Sequence, residues 1–526
     1  MSRTALITRA ALLIGLVATS LPAQSTGSPV RQRTTYEDLQ LFGQVLNQIR
    51  VNHPDSIEAH ELFLAAVEAM VHAADPHSYV VPAVRLDAAK SEALEKGKLY
   101  PVPIDFSFVG GTPVVVSVAA GTAARRLDIL PGDELVAVDG GSFISHSAPE
   151  LDVELAGPKK STVRLTLERR RDDGSLVRLD RLVQRERAEE ESAVPVSIML
   201  DPTTGYVRVT TFVGERVADD LHAALERLEK AGMEQLLLDL RDNGGGSVSE
   251  AAHVAGEFLP RNAIVYTSEG RKPEITDTGR VKRSFFRSER RYPIVVLVNA
   301  GTASASEIVA GALQDHDRAL IAGRPTFGKS LLMRGFPMSD GSVLWLVVGH
   351  VRTPCGRVVQ RQYRSITRRE YYRLARAERD TAGRPACRTD GGRTAYGGGG
   401  IFPDLPLPDA PPRPRWASRL DELQLLMSWS GGYVDAHAAA LTDVDAFSAH
   451  VLPATVLADF RAYASKQGVD VPADGDALLQ ELLLTNIAYA RWGTEGAYRV
   501  YARRDGEVRA AMTGFPQARA MVKLGP

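Results

Sequence analysis

The stretch IVVLVNAGTASASEIVAGALQDHDRALIAGRPTFGKS, from Ile294 to Ser330, decides the reading of this chain. Ile294–Val298 is an unbroken apolar, mostly β-branched run, the pattern of a strand buried on both faces. After a Gly301-Thr302-Ala303 turn, residues 304–314 (SASEIVAGALQ) predict a helix and residues 318–323 (RALIAG) a returning strand. An 11-residue helix covers ~16 Å, and a strand of five or six residues covers roughly the same distance. The chain thus goes out and comes back, which brings Lys329 beside Ser304. A serine needs a base to become a nucleophile, and an uncharged lysine can be that base.

Working outward, strands and helices alternate from residue 204. Gly205–Phe212 reads as a strand, and Val217, Leu221, Leu225 and Leu228 mark a helix. Leu236–Leu240 reads as a buried strand followed by a helix through Ala251–Phe258, and Val343–Val348 as a further strand. Such alternation predicts an α/β layer structure. Residues 99–187 look different: Val114–Val118 is a short strand, Ala123–Leu127 a short helix, and Leu130-Pro131-Gly132-Asp133 a turn before another strand. Ser161–Glu168 and Leu176–Val183 form a hairpin, with the basic run Arg169–Arg171 at its solvated tip. Helical spacing of Leu39, Phe42, Leu46 and Ile49, and of Leu62, Ala66, Met70 and Ala73, predicts a helical region over 35–75, ended by Asp75-Pro76-His77. Residues 358–395 read as charged and irregular, Pro403–Pro414 as a proline-rich linker, and 417–526 as mostly helical.

Ser304 opens a helix, where unpaired N–H groups and the positive dipole end would stabilise an oxyanion. The Ala305 N–H, next to Ser304, is one natural donor. A helix-opening serine is more commonly a cap, and the competing role for Ser304 is that alone. Lys329 changes the weighing. A free lysine, with pKa near ~10.4, is useless as a base at neutral pH. Phe327, Leu331, Leu332 and Met333 give it an apolar setting that lowers that value; the competing role is a surface charge. After Leu236–Leu240 comes Arg241-Asp242-Asn243-Gly244-Gly245-Gly246, a turn whose glycines let a backbone N–H approach a substrate closely, or simply a tight turn.

A decoy overlies Lys329. Gly323–Ser330 fits the phosphate-binding pattern G-x-x-x-x-G-K-[ST]. That pattern requires a helix to begin at the lysine, whereas Gly335 and Pro337 follow within eight residues and Pro325 removes a cradling N–H. The 11 histidines are scattered with no His-Glu-x-x-His, and no Cys-x-x-Cys occurs, so neither a metal nor any other cofactor is expected. His316 beside Asp315 falls at the far end of the Ser304 helix, the wrong geometry for a triad.

At 526 residues the chain should hold two to four domains. A formal net charge of −1 argues against nucleic-acid or acidic-membrane binding driven by bulk charge. Arg3 and Arg9 precede the apolar run Ala10–Leu21, and Leu21-Pro22-Ala23 offers a cleavage site. Residues 1–23 therefore read as a secretory signal peptide, the alternative being an uncleaved anchor. No later run approaches ~18 apolar residues, so no further membrane span is expected. Two cysteines, Cys355 and Cys387, permit one disulfide in an exported chain, or two free thiols.

Together these segments resemble the carboxyl-terminal processing peptidases, or tail-specific proteases. The likeness runs from about residue 35 to 405. It includes Ala74-Asp75-Pro76-His77-Ser78, Leu238–Gly246, Ser304-Ala305-Ser306-Glu307, Gln314-Asp315, Thr326-Phe327-Gly328-Lys329 and Gly398–Asp404. The resemblance implies an α/β fold with a crotonase/ClpP-like core over 188–405 and an inserted β-rich PDZ domain over 98–187. An N-terminal helical region at 35–97 and a C-terminal helical region at 417–526 flank them. It implies an endopeptidase, periplasmic or secreted, acting on protein or peptide substrates near their C-termini, with a homo-oligomer conceivable. On the matching positions Ser304 is the nucleophile, Lys329 the general base, and Gly245 (or its neighbours Gly244 and Gly246) and Ala305 the oxyanion donors. Two positions depart. The family commonly carries glutamine four residues after the lysine, where this chain has Met333, a side chain that cannot donate a hydrogen bond. The PDZ carboxylate loop, usually Gly-apolar-Gly-apolar, reads Pro101-Val102-Pro103-Ile104. Val102 and Ile104 keep the apolar peptide-binding positions, but Pro103 has no N–H to give. These departures are what a second reading, a catalytically weak or inactive binding protein on the same fold, rests on.

Overall fold

The structure is a computed structural model. It describes residues 34–522 apart from 82, 84–86, 110–111, 119–121, 130–132, 171–174, 188–191, 283–288, 365, 367 and 409–412. The signal-peptide reading at 1–23, the Leu130-Pro131-Gly132 turn and the 171–174 hairpin tip fall outside the described residues.

The chain divides after Met70. The first unit is the helix Thr35–Asn52 and most of the helix Ala59–Ala74, as the 3.6-residue spacing predicts. Thr34 caps the former through a reciprocal box: its Oγ accepts the Glu37 N–H at 3.3 Å, and the Glu37 carboxylate accepts the Thr34 N–H at 2.8 Å.

The second unit is built on a six-stranded sheet. Its strands, in spatial order, are Leu405–Pro406, Leu320–Gly323, Ile294–Val298, Gln235–Asp239, Thr204–Arg208 and Val196–Met199. All pairs are parallel except the last. Each run alternates between two apolar layers, as side chains on a strand must. Leu236, Leu238, Ile294, Val296 and Val298 join one core cluster, which includes residues of the helices Val217–Lys230, Val248–Gly256 and Ala305–Asp315. Leu237, Val295, Leu297 and Leu320 join the other, with Ala502, Val508, Ala511, Phe515, Ala518 and Met521. The last described helices, Gly506–Met512 and Phe515–Val522, therefore complete the second face of this sheet. The remainder of the 417–526 region has a helical core of its own around Phe460, Leu479, Leu483 and Ile487.

A second sheet is antiparallel: Tyr79–Val81, Val343–Arg352, Ile264–Gly270 and Asp277–Arg280, with Leu331–Pro337 also on Val343–Arg352. A third, with strands Ile104–Val109, Thr112–Val118, Glu134–Val138, Thr162–Arg170 and Leu176–Gln184, is antiparallel throughout and has a separate core. The helix Ala148–Leu155 packs on it beside the edge strand Ile104–Val109.

One expectation changes and one open alternative closes. Residues 368–377, read as irregular, are a helix whose inward face carries the buried Tyr371 and Ala375 at i, i+4 spacing. Its charge had masked the period. Cys355 and Cys387, left open in the sequence, form a disulfide across 32 residues. Among the described residues no helix is long and apolar enough to cross a membrane.

Candidate functional site

The turn after Ile294–Val298 is closed by side chains. Thr302 Oγ donates to the Leu240 carbonyl at 2.8 Å, and the Asn299 carboxamide exchanges bonds with Asp242, accepting its N–H at 3.0 Å and donating to its carboxylate at 2.9 Å. Ser304 follows as the cap of the helix Ala305–Asp315, with φ 58° and ψ −116°. A left-handed φ is costly for a residue with a Cβ, and such strain concentrates at functional positions.

Lys329 sits at the mouth of the strand Leu331–Pro337, so the chain after it is extended and no helix begins there. The phosphate-binding reading fails on this point. Ser304 and Lys329 line one cavity of about 10 Å³, with Tyr266, Glu307, Ile308, Thr353 and Val359 among the other walls. That is room for about one water molecule. Burial holds the Lys329 ammonium below the ordinary lysine value, partly countered by the charges of Glu307 and Asp75.

Glu307 is the residue that sequence reasoning passed over. Its side chain is buried, and its carboxylate accepts the N–H of Ser304 at 2.8 Å, of Lys329 at 2.8 Å and of Gly328 at 2.7 Å, together with the hydroxyl of Thr326. The Thr326 oxygen itself accepts the Ile401 N–H at 2.6 Å, so its proton points at Glu307. Burial pushes the Glu307 carboxyl up, and these four donors pull it back toward the ionised form that their geometry receives. The signal was present as Ser304-x-x-Glu307, the pattern of a capping box. Here the reciprocal half of that box reaches across to the lysine loop.

The glycine turn comes to the same place. Gly245, at φ 98°, lies so near that a Cβ on it would stand 2.7 Å from the Ala303 carbonyl oxygen and 2.8 Å from the Ala305 nitrogen. The Ala305 N–H makes no hydrogen bond in the described structure. The Gly245 N–H donates to Asn243 Oδ1 at 3.0 Å, so it can take an oxyanion only by giving up that bond. Asn243, fully buried, also donates to the Val209 carbonyl at 2.9 Å, and its own carbonyl accepts the Ala303 N–H and the Ser306 hydroxyl, each at 2.9 Å.

Met333 lies opposite Val347 and is not among the described residues lining the cavity. The lysine loop is braced elsewhere. Gln360 Oε1 accepts the Ser330 N–H at 2.9 Å and its Nε2 donates to Tyr371 Oη at 3.2 Å; Tyr371 Oη in turn bonds the Gly328 carbonyl at 3.3 Å and His77 Nε2 at 3.1 Å. Asp75 accepts both the His77 and Ser78 N–H groups, at 2.8 and 2.7 Å. Val102 and Ile104 are buried in the core of the third sheet's domain, and the Ile104 N–H donates to the Val102 carbonyl at 2.9 Å. His316 lies away from Ser304: it bonds Asp390 at 2.6 Å and the Ile264 carbonyl at 2.7 Å. Among the described residues, Asp315, Cys355 and Cys387 form a group with metal-ligand spacing. The two thiols are spent in the disulfide, and Asp315 pairs with Arg357 at 2.7 Å.

A family model, Peptidase family S41, matches residues 203–367. A carboxy-terminal-processing protease of Bartonella bacilliformis is 31% identical over 337 residues, covering 62% of this chain and 74% of that protein. A chloroplastic carboxyl-terminal-processing peptidase 2 of Arabidopsis thaliana is 38% identical over 251 residues, covering 46% of each chain. The solved photosystem II D1 C-terminal processing protease is 24% identical, covering 71% of this chain and 94% of that one, with a TM-score of 0.36.

Proposed function

The chain belongs to the carboxy-terminal-processing protease family of serine-type endopeptidases, and we propose that it hydrolyses peptide bonds near the C-termini of protein substrates with a Ser304–Lys329 dyad. Ser304 Oγ attacks the scissile carbonyl carbon. Neutral Lys329 takes its proton and returns it to the leaving amine. The Ala305 N–H, and a glycine-turn N–H from Gly245 once freed from Asn243, receive the oxyanion. Water then attacks the acyl-enzyme by the same route in reverse.

The observation that carries this is the Glu307 carboxylate, which accepts the N–H of Ser304 and the N–H of Lys329 at 2.8 Å each. One rigid group fixes the spacing of the two backbones. Burial supplies the rest, because an ammonium withdrawn from water gives up its proton more readily. Residues 188–405 form the crotonase/ClpP-like core on this reading. The antiparallel domain within 98–187 is a PDZ-like module on this reading, with weak or altered recognition of substrate C-termini because Pro103 has no N–H to give. Export follows from the signal-peptide reading of residues 1–23. The test is labelling with a fluorophosphonate probe, followed by mass analysis of the modified peptide. The modification should sit on Ser304 and vanish in Lys329→Ala. Modification at another serine would overturn the assignment.

One observation favours a second reading, a weak or inactive binding protein on this fold: the Gly245 N–H is already occupied by Asn243. A wild-type chain that binds peptides yet resists the probe would select it.

A further inference from the structure

The glycine turn and the lysine loop are also joined from behind, by the end of the chain. Arg241, four residues before Gly245, is 3% exposed. It gives Nε and Nη2 to Asp239, at 3.0 and 2.7 Å. Its third nitrogen, Nη1, meets Asp505 at 2.6 Å and Glu507 Oε2 at 2.7 Å. The other oxygen of Glu507, Oε1, lies 2.8 Å from Arg324 Nη2. Arg324 opens the loop that leads to Lys329, with its N–H on the Val298 carbonyl at 3.1 Å. A single carboxylate from the helix Gly506–Met512 thus pairs with two guanidinium groups, one at the root of each turn: Oε2 accepts a hydrogen bond from Arg241, and Oε1, which accepts none, is held by Arg324 as an ion pair alone. Asp505 caps this helix by accepting the Glu507 N–H at 2.7 Å. Beyond it Val508, Ala511, Phe515, Ala518 and Met521 belong to the apolar layer on the rear of the sheet.

We infer that Glu507 is a positioning residue for catalysis, setting the spacing of the glycine turn against the Lys329 loop and making turnover depend on the docking of the chain's last helices. This rests on the dyad reading. Arg241 retains Asp239 and Asp505 if Glu507 loses its charge, but among the described residues Glu507 is the sole ion-pair partner of Arg324. With the carboxylate gone, Arg241 stays paired while Arg324 loses its counter-charge beside another guanidinium, and the two roots move apart. A displacement of about 1 Å at reacting groups costs roughly 100-fold in rate.

The test is Glu507→Gln, which keeps the shape and removes the charge, run beside Glu507→Asp and Ser304→Ala. Cleavage of a peptide substrate gives kcat and KM, probe labelling reports Ser304 reactivity, and thermal unfolding reports the fold. The expected result for Glu507→Gln is a kcat lower by about 10- to 100-fold with KM little changed. Labelling should slow in parallel, and Glu507→Asp should recover part of the rate. A purely structural role would lower the unfolding midpoint and leave kcat of the folded protein at the wild-type value, which overturns the inference. Cleavage by Ser304→Ala would instead overturn the dyad reading beneath it. Should Glu507→Gln not fold, Arg324→Gln breaks the same bridge at a side chain 16% exposed. Loss of kcat there supports the inference, and a wild-type kcat overturns it.

Discussion

A Cβ built on Gly245 stands 2.9 Å from the Cβ of Ser304. Closer still are the Ala303 oxygen and the Ala305 nitrogen, backbone atoms that cannot swing aside. Gly245→Ala should therefore displace the Ser304 turn while the apolar layers of the sheet stay closed. The expected loss in kcat is on the order of 100-fold. Retained kcat in a folded Gly245→Ala would show that the turn has slack its geometry denies.

Ser304 itself holds φ 58° and ψ −116°, a conformation that glycine adopts at little cost and serine does not. Ser304→Gly should raise the unfolding free energy by about 1 kcal/mol while abolishing turnover. Denaturant titration checks the first point. A destabilised Ser304→Gly would mean the side chain contributes more as a cap than the backbone strain costs.

Lys329 is lowered from its ordinary pKa by burial, against Glu307 and Asp75. The unfolded chain then binds a proton more readily at this position than the folded one. Stability is thus reduced at neutral and lower pH and recovers as pH rises from the folded value toward the unfolded ~10.4. Lys329→Met should melt higher than wild type near neutrality, with the gap closing as pH approaches that value. Activity has the same sign: kcat should rise with pH through the lowered pKa, since only the neutral amine is a base. A gap that widens with pH would contradict the lowering.

The disulfide closes a 32-residue separation between Cys355 and Cys387. On chain-entropy grounds its loss costs about 3–4 kcal/mol. Cys355→Ser with Cys387→Ser should lower the thermal midpoint, and reductant should lower the wild type likewise. Insensitivity to reductant would mean the pair contributes nothing to the fold.

Much of this site is legible in the sequence, because its parts are local. Ile294–Val298 is apolar on both faces and falls where expected, and the helix expected over 304–314 is Ala305–Asp315. The strand Leu331–Pro337 after Lys329 bears out the rejection of a phosphate loop. What could not be read is long-range. Gln360, Tyr371 and Glu507 reach the two turns from segments with no spacing relation to them. The helix Arg368–Ala377 was obscured by its own charge, and the docking of residues 506–522 on the sheet is a tertiary choice among several amphipathic helices. The Gly245 N–H was expected to be available, whereas Asn243, two residues earlier, holds it.

The most direct measurement is digestion of an unfolded model protein such as casein by wild type, Ser304→Ala and Met333→Gln. The account predicts cleavage by wild type and none by folded Ser304→Ala. Met333→Gln should cleave like wild type, since Met333 is not among the described residues lining the Ser304–Lys329 cavity. Cleavage that survives in Ser304→Ala would contradict the assignment of the nucleophile, and with it the account.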